Sequence, residues 1–96
     1  NDLLQYSALN QQFHAIIYDV CPNRAATDLL LRLKAQMRKY NGKTILVPNR
    51  DTRSHMEHRA ILEAIKRRDP IQAEAKVRAH VESVRQTFDD YFSLLF

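Results

Sequence analysis

Three histidines, His14, His58 and His80, lie on the apolar sides of three different predicted helices. A single histidine on such a face is usually a core residue with a hydrogen-bond partner. A buried imidazole without a partner costs about 1–3 kcal/mol, and three would strain a domain whose whole stability is about 5–15 kcal/mol. The three histidines are therefore expected to converge on one point, where a divalent metal ion would satisfy all of them.

Asn10 lies four residues before His14, so both side chains project from one face of the first predicted helix. Three imidazoles and one oxygen suit zinc, nickel, manganese or a related divalent ion, with coordination positions left for water or a ligand. A neutral amide oxygen is a poorer ligand than a carboxylate, so we expect weaker binding than an Asp would give. His55 precedes His58 by three residues and is expected to be exposed in the first turn of its helix.

Apolar residues recur at spacings of three, four and seven, which predicts an all-α fold, an antiparallel bundle of four helices. The predicted helices run from about Asp2 to Val20, Arg24 to Tyr40, Ser54 to Arg68, and Pro70 towards Leu95. Besides the histidines, the residues expected to face inward are Leu3, Tyr6, Leu9, Phe13, Ile17, Tyr18, Leu29, Leu30, Leu33, Met37, Tyr40, Ile61, Leu62, Ile65, Val77, Val81, Val84, Phe88, Tyr91, Phe92 and Leu95.

The segments between the first three helices predict how those helices end. Pro22 disfavours helix in the residue before it, and Asn23 is suited to cap the second helix. Asn41-Gly42 is expected to stop that helix. Residues 43–53 then lack a sustained period and predict a long loop, which is either a plain connector or a lid over a ligand site.

Two further signals predict where the last two helices begin. Ser54 and Glu57 have the spacing of a capping box, in which the hydroxyl accepts a backbone N–H of the first turn and the carboxylate reaches back to the N–H of the N-cap residue. Asp69 is expected to be the N-cap of the last helix, and Pro70 is suited to its first turn.

Composition bounds the class of protein. The chain of 96 residues, 45% hydrophobic and 27% charged, predicts one soluble globular domain over residues 1–96. No apolar run approaches the roughly 18–20 residues that span a membrane. The single Cys21 cannot form an internal disulfide, which favours the reducing cytoplasm. Because the chain begins without Met, we expect a piece of a longer protein.

The net charge of +4 raises the question of nucleic-acid binding. Basic residues are spread along the chain and interleaved with the acidic residues Glu57, Glu63, Glu74 and Glu82. This pattern favours a solvated helical surface over a dedicated DNA-binding face.

The histidines leave three functions open. The first is a ligand-sensing domain that uses a bound metal. The second is a metal-dependent hydrolase with the same ligands, for which Glu57 is the one nearby acid by sequence and is expected to be occupied by capping. The third is a metal-free dimerisation module whose histidines hydrogen-bond internally. No Gly-rich phosphate loop or nucleophile elbow supports other catalysis.

A family resemblance covers nearly the whole chain. Its motifs are Asn10-Gln-Gln-Phe-His14, the block Glu57-His-Arg-Ala-Ile-Leu-Glu-Ala-Ile65, Arg68-Asp69, Ala73-Glu74 and Arg78-Ala-His80. In order and spacing these segments resemble the FCD domain, the C-terminal effector-binding domain of GntR-type, FadR-subfamily bacterial transcription regulators.

The resemblance implies an antiparallel helical bundle that dimerises and follows an N-terminal winged helix-turn-helix. It also implies a divalent metal held by an Asp or Asn and three His, roles that fall on Asn10, His14, His58 and His80. A small carboxylate effector would complete the coordination, with Arg38 as the candidate Arg of the second helix.

Two departures from the family pattern change what is expected of this chain. Asn stands at position 10 where Asp is commoner, which predicts lower metal affinity. The DNA-binding part is absent from the sequence, so operator DNA would be bound only through the missing N-terminal domain.

Overall fold

The computed structural model describes residues 2–95, except for the side chains of residues 39, 41 and 42. This part of the chain forms four helices and no strand, so the predicted all-α class is confirmed. The helices are α1 (Leu3–Val20), α2 (Arg24–Thr44), α3 (Arg50–Lys66) and α4 (Pro70–Leu95). They divide between two compact units, Asn1–Ile45 and Leu46–Phe96. None of the described helices combines the length and apolar character needed to cross a bilayer.

The N-terminal unit consists of α1, α2 and the turn between them. Asp2 caps α1, because its Oδ1 accepts the Gln5 N–H at 2.9 Å. Asn23 caps α2 as predicted, with its Oδ1 accepting the Ala26 N–H at 3.0 Å. Both caps satisfy backbone donors that have no partner within the helix.

The predicted end of α2 and the predicted long loop are wrong. α2 continues through Asn41-Gly42 to Thr44, and α3 already begins at Arg50. A glycine inside a helix costs only about 1 kcal/mol relative to alanine, so it does not end a helix that neighbouring turns support. The connection therefore shrinks to residues 45–49, too short for a lid.

The predicted capping box at the start of α3 is also wrong. Ser54 and Glu57 lie inside α3, and the N-cap is Asn49, whose φ of 64° is left-handed and whose side chain makes no capping bond. The side chains of Ser54 and Glu57 are therefore available for contacts with other residues.

The C-terminal unit is an α-helical hairpin of α3 and α4. Arg68 and Asp69 donate backbone N–H groups to the carbonyls of Ile65 and Ala64, the bond pattern of a Schellman motif. Asp69 caps α4 as predicted, accepting the Gln72 N–H at 3.0 Å. The turn reverses the chain within three residues, so the two helices run antiparallel.

The buried face of α3 consists of Arg50, Ser54, Ile61 and Ala64, and Ile61 is only 2% exposed. Their spacings of four, seven and three place them on one stripe of the helix. His80 and Thr87 are the buried residues of α4. Four of these six buried residues are polar, so the stability of the interface depends on hydrogen bonds as well as on apolar packing.

Many residues predicted to face inward are instead 37–60% exposed: Leu9, Leu29, Leu30, Leu33, Met37, Leu62, Ile65, Val77, Val81 and Phe92. Periodicity identifies residues that share a helix face, but it does not show that another element covers that face. In the N-terminal unit, Lys34 of α2 donates a hydrogen bond to the hydroxyl of Tyr18 on α1.

Candidate metal site

His58 of α3 and His80 of α4 lie side by side in the C-terminal unit. Their Nε2 atoms are 3.3 Å apart, and their rings meet nearly edge to face with centroids 4.7 Å apart. His80 is buried, at 6% exposure. The antiparallel hairpin brings together two histidines that are 22 residues apart in the chain.

Glu57 lies next to this pair, and both of its carboxylate oxygens contact other side chains. Its Oε1 lies 2.6 Å from Nδ1 of His80 and accepts a hydrogen bond from Arg50 Nη2 at 3.1 Å. Its Oε2 accepts the Ser83 hydroxyl at 2.6 Å. Arg50 also donates from Nη1 to Ser83 Oγ at 3.0 Å, which closes a ring of contacts across the hairpin.

Burial and charge set the protonation of this cluster. Burial by itself raises the pKa of the Glu57 carboxyl, but hydrogen bonds from Ser83 and His80 and the charge of Arg50 outweigh it and lower the pKa. Burial, followed by the neighbouring His80, lowers the pKa of His58 to about 4. Near neutral pH, Glu57 is therefore an ionised acceptor and His58 is a neutral imidazole.

The distance between the two imidazole nitrogens fits a shared metal ion. With metal–nitrogen bonds of about 2.1 Å, two ligands of one ion lie about 3.0 Å apart at right angles and about 3.4 Å apart at the tetrahedral angle. The observed 3.3 Å lies within this interval. Nitrogen donors of this kind suit zinc, nickel and related divalent ions.

Asn10 and His14 lie one turn apart on α1, in the N-terminal unit. Among the described residues, Oδ1 of Asn10 is a buried side-chain oxygen with no hydrogen-bond partner. A buried oxygen without a partner needs a hydrogen-bond donor or a cation. Oδ1 of Asn10 is therefore consistent with the oxygen ligand that the sequence predicts. His14 contacts the rings of Phe13 and Tyr18. Its convergence with the other two histidines stays a prediction.

Arg38, the candidate effector ligand, lines a cavity of about 700 Å³ in the N-terminal unit. Asn10 lines the same cavity, and so does Lys34, whose Nζ donates to the Tyr18 hydroxyl at 3.3 Å and lies 5.2 Å from the centre of that ring. The lining of the cavity therefore includes the proposed oxygen ligand and three cationic side chains, the third being Arg24. Its size is in the range of small-molecule sites.

The sequence did not indicate that Arg50 and Ser83 belong to this cluster, and it predicted that Glu57 would cap α3. Arg50 had been predicted to lie in a loop, whereas it begins α3 and shares a helix face with Glu57, seven residues later. A buried Arg–Glu pair at that spacing is visible in the sequence only once the start of the helix is known. His55 is exposed, as expected.

The fold and this cluster define an all-α protein with a buried histidine–carboxylate network in a helical hairpin. Comparison with known families then identifies it, because the FCD domain matches residues 1–83 of the chain. The chain belongs to the FCD domain family, as the sequence motifs predicted. No curated protein and no solved structure gives a significant match. FCD domains belong to transcription regulators, which bind effectors and dimerise and are generally not enzymes.

Proposed function

We propose that this domain senses a small organic acid through a divalent metal ion held by Asn10, His14, His58 and His80. The observation that carries the proposal is the His58–His80 pair, whose Nε2 atoms are 3.3 Å apart beside an ionised Glu57. Oδ1 of Asn10 is buried and has no hydrogen-bond partner within the described part of the chain, which supports it as the fourth ligand. Membership of the FCD family supports the role of a regulator's effector domain.

Each residue has a defined part in this function. The metal, when bound, supplies a Lewis-acidic position to which a carboxylate can bind. Arg38 would pair with that carboxylate from α2, since a guanidinium fork matches its two oxygens. His58, neutral near pH 7, offers its lone pair without first losing a proton to solvent.

In the cell the domain would act as part of a cytoplasmic bacterial regulator. Effector binding would favour one arrangement of a homodimer and thereby change operator affinity through an N-terminal DNA-binding domain. The coupling requires a difference in effector affinity between the two arrangements.

The contacts of Glu57 argue against a hydrolase. A general base must accept a proton from a metal-bound water, which requires a carboxylate oxygen free to face it. Oε1 of Glu57 accepts from Arg50 and pairs with His80, and Oε2 accepts from Ser83. Glu57 is therefore already engaged by side chains of its own hairpin.

Metal analysis of protein purified without a chelator or a nickel column tests the proposal. We expect bound divalent metal and a fall in the unfolding temperature after chelator treatment. His80→Ala should lose zinc binding, whereas His55→Ala, an exposed histidine on the same helix as His58, should retain it. A wild-type protein with no metal, unchanged by chelator yet dimeric, would instead identify a metal-free dimerisation module.

A further inference from the structure

We propose that Glu57 is a positioning residue, which fixes the Nδ1–H tautomer of His80 and so leaves its Nε2 lone pair for the metal. Arg50 and Ser83 hold Glu57 in place for this purpose. The metal part of the inference rests on the proposed function, whereas the tautomer is a property of the metal-free protein.

The first argument is the contact between Glu57 and His80. A carboxylate only accepts hydrogen bonds, and its Oε1 lies 2.6 Å from Nδ1 of His80. Whenever this imidazole is neutral, its single ring proton therefore lies on Nδ1. The lone pair is left on Nε2, which is the nitrogen that faces Nε2 of His58 at 3.3 Å. Carboxylate–histidine pairs behind a metal ligand orient the ring and raise its basicity.

The second argument is that the carboxylate is itself immobilised. Arg50 donates to Oε1 and Ser83 to Oε2, so both oxygens are held by residues of two different helices. Rotation of the Glu57 carboxylate would break at least one of these bonds. The His80 ring is thus held by a network that spans α3 and α4, which fixes the direction of its Nε2.

The third argument is the buried charge of Arg50, which is 6% exposed. Burying an ion pair is often no more stabilising than packing apolar residues in the same space. Packing alone therefore does not account for a guanidinium at this position. The hydrogen bonds of Arg50 to Glu57 and to Ser83 explain why a guanidinium is buried here: they orient the carboxylate behind His80.

The test compares wild-type protein, Glu57→Gln and the control Glu63→Gln, which removes an exposed carboxylate of the same helix. Long-range ¹H–¹⁵N spectra of the metal-free proteins report the tautomer of His80. Competition with a chromophoric chelator reports zinc affinity, and thermal unfolding shows that each variant is folded. We expect the Nδ1–H tautomer in wild type and Glu63→Gln. In Glu57→Gln we expect a mixture of the two tautomers, because the amide can either accept from Nδ1–H or donate to Nδ1. Zinc affinity should be about 10- to 100-fold weaker in Glu57→Gln.

Two results would overturn the inference. One is an Nε2–H tautomer of His80 in the metal-free wild-type protein, a measurement that needs no variant. The other is a folded Glu57→Gln protein that binds zinc as tightly as wild type; this would leave the proposed metal site intact. If the wild-type protein binds neither zinc nor another divalent metal ion, the proposed function fails. The His80 tautomer in wild type and Glu57→Gln then decides the role of Glu57 alone.

Discussion

The Nε2 atoms of His58 and His80 are hydrogen-bond neighbours at 3.3 Å, and they are also two of the proposed metal ligands. With the proton of His80 on Nδ1, its Nε2 is an acceptor, and the contact with Nε2 of His58 is a hydrogen bond when the ring proton of His58 lies on Nε2. That proton would have to move to Nδ1 of His58 before both Nε2 atoms could bind one metal ion. Metal binding and this internal hydrogen bond therefore use the same lone pair. The pair is held in nearly the geometry of two ligands before any ion binds, which reduces the reorganisation that binding requires.

Acidification is expected to destabilise the metal-free protein through His58. Its pKa is about 4 in the folded state, below the ordinary value of 6.5, so the unfolded chain takes up this proton at higher pH than the folded protein does. The contribution to stability is complete above about pH 6.5 and is lost as the pH falls towards 4. Urea unfolding of chelator-treated protein at pH 7.5 and pH 5 measures the difference.

Two variants assign this pH dependence to one residue. His58→Gln should reduce it, because the group that titrates is gone, whereas His55→Gln should leave it unchanged. Equal pH dependence in wild type and His58→Gln would show that other groups are responsible.

Asn10→Asp is expected to tighten metal binding. A carboxylate adds a negative charge to the proposed oxygen ligand, while the buried Oδ1 of Asn10 has no partner among the described residues. Zinc competition should therefore rank Asn10→Asp above wild type and wild type above Asn10→Ala. Gln12→Asp, an exposed change on the same helix, serves as the charge control. Equal affinities for all four proteins would remove Asn10 from the site.

Arg50→Ala is expected to lower the free energy of unfolding by about 3 kcal/mol, because it leaves the Glu57 charge without its ionic partner in a largely buried network. Arg78→Ala breaks an Arg–Glu pair in which both side chains are exposed, and should change stability by less than about 1 kcal/mol. Denaturant unfolding compares the two variants. Similar small effects would mean that the Arg50 contact is no stronger than a surface ion pair.

Arg68→Gly is expected to stabilise the hairpin by up to about 1 kcal/mol, because Arg68 has a φ of 55° and glycine adopts this conformation without the steric cost of a Cβ. The neighbouring Arg67 is right-handed, with a φ of −78°. Arg67→Gly should therefore not stabilise the protein and should slightly destabilise it. Thermal unfolding compares the two variants. Equal changes in their unfolding temperatures would exclude the left-handed backbone of Arg68 as the cause.

The sequence determined the helical class, the family and several helix boundaries. Asn23 and Asp69 were predictable as caps because a cap depends on a side chain and a backbone group only three residues apart. His58 and His80 were identifiable because their apolar neighbours recur with the helical period. These are short-range signals, and short-range interactions are what a sequence displays directly.

Only the tertiary structure showed what surrounds the two histidines. Ser54 and Glu57 have the spacing of a capping box, but the network across the hairpin is formed by Glu57, Arg50 and Ser83, the last of which is 26 residues from Glu57. Such contacts depend on where α3 begins and on how α4 is aligned against it, which no local pattern encodes. The sequence determined which residues offer metal-binding chemistry, and the packing of α3 against α4 decided which of them meet.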